Sequence, residues 1–222
     1  MSNEIKIEKK ASEVIQPEDA EAARQAIREK KDLSGADLQG NDLSNLNATG
    51  AVLRKTNLTG ADLSHGLLVN PNFYKSKAHQ AALHHTVFIG GDLVRADFTG
   101  ADLSDSALIG VDGQQACFEG ANLRNAGLVS ADLRDANFSG VNLANSRLAG
   151  VKVEGADFTG ADTAGARALN VDWSKAKVPP AELPAPFIEL PTWAWSVMIG
   201  SVVGVIGLLV YALIRRQQKA SS

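Results

Sequence analysis

The sequence predicts an all-β solenoid, preceded by a capping helix and followed by one C-terminal transmembrane α-helix. Three observations predict it: a five-residue repeat over residues 32–175, a helix-forming segment before it, and an uncharged apolar segment after it. In steps of five from Leu33 to Trp173, Leu or Phe occupies 22 of 29 positions. A helix needs a period of 3.6 and a strand a period of 2, so a period of five indicates a chain that turns a corner in every repeat.

The residues around each large centre follow a pattern of their own. Two positions before it the side chain is usually small, and Asp or Asn often stands between them. These units resemble those of the pentapeptide repeat family, A-(D/N)-L-x-x, and eight match strictly, among them Ala36-Asp37-Leu38. The resemblance implies a right-handed quadrilateral β-helix with four pentapeptides per coil. The large centre and the small residue then point inward.

A spacing of 20 residues supports the four-sided arrangement independently. Positions 20 apart should stack, and Phe98, Phe118, Phe138 and Phe158 form one such series. Stacked aromatic rings are a favourable arrangement. The 29 units correspond to about seven coils. Units between Gly66 and Gly90 depart from the motif, so we expect a bulge or a distorted coil there.

The segments before and after the repeat region have predicted structures of their own. Residues 17–31 predict a helix that caps the first coil, because Pro17 suits a first helical turn and basic residues close the segment. Residues 1–16 before it are expected to be mobile. Residues 176–192 contain five of the seven prolines and predict a semi-rigid linker.

Residues 193–214 predict a transmembrane helix, and residues 215–222 a basic tail. The 22 uncharged residues would extend about 33 Å as a helix, enough to cross a bilayer core. A buried core helix is the alternative interpretation. Small residues at helix-packing spacing favour close contact with another membrane helix: Ser196, Gly200, Gly204 and Gly207.

The predicted location is a single-pass, tail-anchored membrane protein with its repeat domain in the cytoplasm. The first residues, MSNEIKIEKK, contain no apolar stretch typical of a secretory leader. Arg215 and Arg216 favour the opposite orientation under the positive-inside rule.

One outer face of the predicted solenoid is apolar, whereas the other three are mostly polar. Its outward positions are Leu67, Val69, Val87, Ile89, Ala107, Ile109 and Val129. Exposed apolar patches usually mark contact sites. We therefore expect this face to bind a protein partner or a second copy. Two alternatives are cover by the chain's own N-terminal segment or Pro-rich linker, and contact with a membrane.

A second function is suggested by charge. Asp92, Asp112 and Asp132 should stack on one face, and some members of the resembled family imitate the surface of DNA when they bind an enzyme. Regulation of a cytoplasmic enzyme by such mimicry is the alternative function. Basic residues at the neighbouring corner and Lys152 interrupt this pattern. The net charge of −3 gives no reason to expect direct nucleic-acid binding.

The sequence contains no catalytic constellation, so we expect a non-enzymatic protein without a cofactor. The motifs of phosphate loops, dinucleotide sites and nucleophile elbows are absent. The single cysteine excludes an intrachain disulfide. His65, His85 and Asp105 should stack at one corner and are a weak candidate for a metal site, with surface histidines as the plainer interpretation.

Overall fold

The computed structural model describes residues 14–187 and forms a parallel β-solenoid of about six turns, here called coils, with one short helix. Each coil contains four short segments that pair with segments 20 residues further on, as in Asp32↔Val52, Asp37↔Asn57 and Asp42↔Asp62. The predicted solenoid and its 20-residue spacing are confirmed.

One face of the solenoid is a continuous parallel sheet, whereas the other three are joined by single bridges. Its strands pair in sequence order, with a spacing of 20 residues from one to the next up to the sixth. They are β1 (Leu67–Val69), β2 (Val87–Ile89), β3 (Ala107–Ile109), β4 (Gly127–Val129), β5 (Arg147–Ala149), β6 (Arg167–Leu169) and β7 (Ala185–Pro186). The central residue of each strand up to β5 is buried, and its two neighbours face outward.

The N-terminal end of the solenoid is covered by α1 (Ala20–Arg28). The carboxylate of Asp19 accepts a hydrogen bond from Ala22 N–H at 2.8 Å, so the helix begins after Asp19 rather than at Pro17. The helix buries Ala23, Ala26 and Ile27. Arg24 donates to the carbonyl oxygen of Ser44 at 2.9 Å, which ties the helix to the first coil.

The segment before α1 also contacts the first coil. Gln16 Oε1 accepts a hydrogen bond from Asp37 N–H at 2.9 Å, although the side chain of Gln16 is exposed. The part of the predicted mobile segment that the structure describes, residues 14–16, therefore lies against the solenoid.

The Asp and Asn residues of the repeat stabilise its corners. Their side-chain oxygens accept the N–H two residues further on, as in Asp62 to Ser64 at 2.8 Å and Asn142 to Ala144 at 2.9 Å. Such bonds close tight turns locally. Most carboxylates of the motif therefore support the backbone turn, and they keep their negative charge while doing so.

The core consists of stacked inward side chains. The rings of Phe98, Phe118, Phe138 and Phe158 lie 4.9–5.2 Å apart between neighbours, with interplanar angles of 5–9°. Trp173 ends the series, edge-on to Phe158 at 5.3 Å. The predicted aromatic ladder is confirmed.

The irregularity expected between Gly66 and Gly90 is absent. Pairing there keeps the 20-residue spacing, as in Asn57↔Lys77 and Asn72↔Asp92. The inward residues of this stretch, including Phe73 and Leu83, are fully buried. The departures from the motif are compatible with regular coils because the stretch keeps its inward pattern.

The regular spacing ends at the last coil. Phe158 N–H bonds to the carbonyl of Val178, 20 residues ahead, whereas Phe138 N–H bonds to that of Asp157, 19 ahead. One residue has thus been inserted, near a 3₁₀ turn at Trp173–Lys175. The solenoid has about six turns with an irregular last coil, where the sequence predicts about seven coils.

The described part of the predicted linker, residues 176–187, continues along the end of the solenoid instead of leaving it. The Thr163 hydroxyl donates to the carbonyl of Glu182 at 2.5 Å, and Arg167 to that of Pro186 at 3.1 Å. No helix within residues 14–187 is long and apolar enough to cross a membrane. The predicted span at 193–214, with Ser196, Gly200, Gly204 and Gly207, lies outside the described residues.

Candidate functional site

The outer surface of strands β1 to β3 carries exposed apolar side chains. Leu67 is 39 % exposed and Ile89 38 %, and Val69, Val87 and Ile109 are half-buried. We call these five residues the apolar strip. Pairing in register places Leu67 beside Val87 and Val69 beside Ile89. The strip is therefore continuous across three strands.

Two residues predicted for this face add almost nothing to its surface. Ala107 is 2 % exposed and Val129 7 %. A methyl group scarcely projects beyond the backbone, and Val129 lies in register between Ile109 and Ala149. Beyond β4 the face changes character, because Arg147 and Arg167 occupy the outward positions and are exposed.

The predicted row of aspartates is formed but is partly neutralised. Asp92 pairs with Asp112, and Asp112 with Asp132. Arg134 binds both carboxylate oxygens of Asp132 at 2.8 Å, and Lys152 lies 3.3 Å away. Hydrogen bonds from Arg134 and Lys152 hold the pKa of Asp132 below its usual value, although burial raises it. Only part of the row can therefore present negative charge.

Three histidines form an aromatic cluster. His65 and His85 stack with ring centres 4.9 Å apart and an interplanar angle of 22°, and His84 lies edge-on to both. Asp105 accepts a hydrogen bond from Asn125 at 3.2 Å. Among residues 14–187, no group of three or more possible ligands could hold a metal ion.

The histidine cluster affects protonation. Burial lowers the pKa of His65, and the neighbouring His85 and His84 lower it further because a second positive charge would be repelled. A separate contact links His79 to Asp97, with Nε2 2.6 Å from Oδ2. The sequence spacing identified His65 and His85, but His84 joins them from the preceding position on the same coil.

A basic corner lies on the other side of the solenoid. Lys55, Lys75 and Arg95 stack there, as the 20-residue spacing predicts. Sequence reasoning missed Arg54 and Tyr74, which lie beside them. Their numbers also differ by 20, so the same spacing could have found them.

Comparison with known proteins supports the same fold. A model described as pentapeptide repeat region matches residues 81–158, and one described as pentapeptide repeats (8 copies) matches residues 32–68. Together they match more than half of the chain. Among curated proteins, no significant match is found.

Solved structures of the same kind resemble this chain. A trypsin-treated variant of QnrB1, a plasmid-mediated fluoroquinolone resistance protein, is 23 % identical, and the match covers 76 % of this chain and 94 % of that one, with a TM-score of 0.50. HetL, a pentapeptide repeat protein involved in heterocyst differentiation regulation in the cyanobacterium Nostoc, is 23 % identical over 69 % of this chain and 85 % of that one, with a TM-score of 0.41. The likeness to QnrB1 concerns the fold alone. The two family models show the family: the chain belongs to the pentapeptide repeat family.

Proposed function

We propose that this chain is a non-enzymatic interaction protein whose apolar strip binds a protein partner. The observation that carries the proposal is the partial exposure of five aliphatic side chains on adjacent strands of one face. Burying apolar surface contributes about 25 cal/mol per Å². A partner with an apolar surface of matching shape would gain this energy on contact.

The rigidity of the solenoid supports such a role. The strip lies on a hydrogen-bonded parallel sheet over fully buried Leu68, Phe88 and Leu108. The backbone beneath the strip is therefore held in place before binding, and a preorganised backbone loses little conformational freedom in a complex.

Replacing Ile89 and Ile109 together by Glu is expected to weaken partner binding by about tenfold or more, because two carboxylates would be buried without partners. The measurement is photo-crosslinking of the full chain in native membranes, with benzoylphenylalanine at position 67 and mass spectrometry of the products. The matched control is Ser104→Glu with Ala144→Glu, two half-buried outward positions in one column of a polar face. The control should keep the wild-type products.

Two results would contradict the proposal. Identical intermolecular products from the Ile89→Glu/Ile109→Glu variant and the control would show that the strip is not the contact. Crosslinks only to residues 1–13 or 188–222 of the same chain would show that the protein covers its own strip.

We further propose that residues 193–214 anchor the solenoid to a membrane. The support comes from the sequence: 22 uncharged residues, with Trp193 and Trp195 at one end and Arg215 and Arg216 after the other. The strand β7 ends at Pro186, so the solenoid would lie close to the bilayer.

Substituting Val203→Lys with Ile206→Lys is expected to release the chain from membranes. Each Lys at the centre of a span costs about 3 kcal/mol. The measurement is the fraction of the full chain left in the membrane pellet after a carbonate wash. Leu183→Lys, at an exposed position outside the span, serves as the control and should stay in the pellet. Release of the wild-type chain by the same wash would refute the anchor.

Regulation of an enzyme by DNA-like mimicry is the weaker candidate. The solenoid fold of this family is compatible with such mimicry. However, Arg134 and Lys152 neutralise Asp132, and Lys152 itself takes the next position of the row. An interrupted acidic row is a poor imitation of a continuous phosphate backbone.

A further inference from the structure

A basic strip crosses three adjacent coils on a surface separate from the apolar strip. We define the basic strip as Arg54, Lys55, Lys75, Lys77 and Arg95, all of which are exposed. Its coils are joined by backbone bonds: Lys55 N–H to the Tyr74 carbonyl at 2.8 Å, and Lys75 N–H to the Val94 carbonyl at 3.0 Å. The positive charges therefore have fixed relative positions.

The cations of the basic strip have no carboxylate partner within residues 14–187 at ion-pair distance. Elsewhere on the solenoid, Arg134, Lys152, Lys175 and Lys177 each lie within 4.0 Å of an acidic group. Arg95 instead donates to Gln115 at 2.7 Å. Concentrating unpaired positive charge on a protein with a net charge of −3 creates a local anion-attracting surface.

Tyr74 organises this surface. The guanidinium carbon of Arg54 lies 5.3 Å from the ring centre, and the Lys75 ammonium nitrogen 5.2 Å. Both distances are typical of cation–π contacts. A hydrogen bond with Lys75 lowers the pKa of Tyr74, and the charges of Lys75 and Arg95 lower it further, although burial opposes them. The Tyr74 ring thus contacts two cations of the basic strip.

We propose that the basic strip is a docking site for an acidic segment of a partner protein, rich in Asp or Glu. Coils stacked at about 4.8 Å place Lys55 and Arg95 about 10 Å apart. Alternate side chains of an extended peptide are spaced about 6.7 Å apart, so the strip spans two or three carboxylates. Charge complementarity of this kind gives specificity and fast association.

The geometry favours an acidic peptide over a nucleic acid. Single-stranded nucleic acids are usually bound by aromatic rings whose faces are open for stacking bases. Here Arg54 and Lys75 already contact the Tyr74 ring. Affinity for duplex DNA commonly needs about six or more phosphate contacts, and a strip about 10 Å long cannot provide them. The basic strip is a different surface from the apolar strip, so binding at one does not depend on binding at the other.

The test uses the purified full chain in detergent micelles and a fluorescein-labelled deca-glutamate peptide, followed by fluorescence anisotropy at 20 and 150 mM salt. Arg54→Gln with Lys75→Gln is expected to weaken binding about fivefold at low salt. The matched control, Arg124→Gln with Arg147→Gln, removes the same charge from exposed positions elsewhere and should change the affinity less than twofold. Raising the salt should weaken wild-type binding, because exposed charges are screened.

A second variant guards against a folding defect. Lys55→Gln with Lys77→Gln leaves both cations on the Tyr74 ring in place and should show a similar loss. Equal losses in the strip and control variants, or no saturable binding at 20 mM salt, would overturn the proposal. Tighter binding of a ten-nucleotide oligothymidylate, lost in the same strip variant, would overturn it in favour of nucleic acid.

Discussion

Phe118→Ala is expected to lower the free energy of unfolding by about 3–5 kcal/mol, the usual range for removing a buried Phe ring. The Phe118 side chain is fully buried and stacks between two others, with ring centres 5.2 Å from Phe98 and 4.9 Å from Phe138. Near-parallel rings at these distances are offset stacks, each worth about 0.5–1.5 kcal/mol beyond burial. Truncation removes both stacks and leaves a cavity.

The solenoid architecture makes this loss hard to compensate. Each coil contacts only its neighbours, so the stability is approximately a sum of coil and interface contributions. Phe118 belongs to two such interfaces in the middle of the stack. Coils held together by backbone bonds, such as Phe118 N–H to the Asn137 carbonyl at 2.7 Å, cannot close around the cavity without breaking the register.

The measurement is urea unfolding of the full chain in detergent, followed by far-ultraviolet circular dichroism. Phe118→Leu is the matched control, since it keeps most of the volume and should cost less than about 1.5 kcal/mol. A loss below about 1 kcal/mol for Phe118→Ala, or equal losses for Ala and Leu, would show that the stacked rings do not hold neighbouring coils together.

The interior of the solenoid could be predicted from the sequence because the inward side chains follow a strict five-residue period. Each large centre must fill the interior, and stacking at 20 residues follows from four corners per coil. The aromatic ladder from Phe98 to Phe158 is therefore predictable from the sequence alone. The sequence also shows where the Asp and Asn residues recur. It does not show that they close the corners, because those hydrogen bonds depend on the backbone geometry.

The outer surface was only partly predictable. Period and register place Ala107 and Val129 outward, but their exposure depends on how far each side chain projects past its neighbours, and both are nearly buried. Likewise, His65 and His85 are adjacent as predicted, but the stacking of their rings depends on side-chain orientation, which the period does not determine. Proline content predicted a linker at 176–192, whereas tertiary contacts of Glu182 and Pro186 keep its first part on the solenoid.

Gly91→Ala is expected to lower the free energy of unfolding by about 2–5 kcal/mol, the sum of backbone strain and steric overlap. Gly91 has a φ of +99°. The non-glycine residues with a left-handed backbone all have φ between 48° and 59°. A Cβ at this position would lie 2.5 Å from Pro71 Cδ and 2.7 Å from the Pro71 carbonyl oxygen. Neither atom is the end of a flexible side chain.

The neighbouring coil offers little room for adjustment. Pro71 is buried, and its carbonyl oxygen accepts the N–H of Asp92 at 2.9 Å. Moving Pro71 away from the new methyl group would stretch that bond and disturb the Asn72↔Asp92 bridge. Position 91 points inward, and the proline ring of the preceding coil fills the space that a side chain there would need. Pro71 therefore requires glycine at position 91.

Gly120→Ala separates steric overlap from the general cost of a left-handed residue. Gly120 has a φ of +62° and nothing within 4 Å of the added Cβ, so its substitution should cost only about 1 kcal/mol. Urea unfolding of both variants, of Pro71→Ala and of Pro71→Ala/Gly91→Ala completes the comparison. Removing the ring relieves the 2.5 Å contact but leaves the carbonyl contact, so the double variant should be more stable than the sum of the two single losses implies. Additive losses, or equal losses for Gly91→Ala and Gly120→Ala, would show that overlap with Pro71 does not determine the requirement for glycine at position 91.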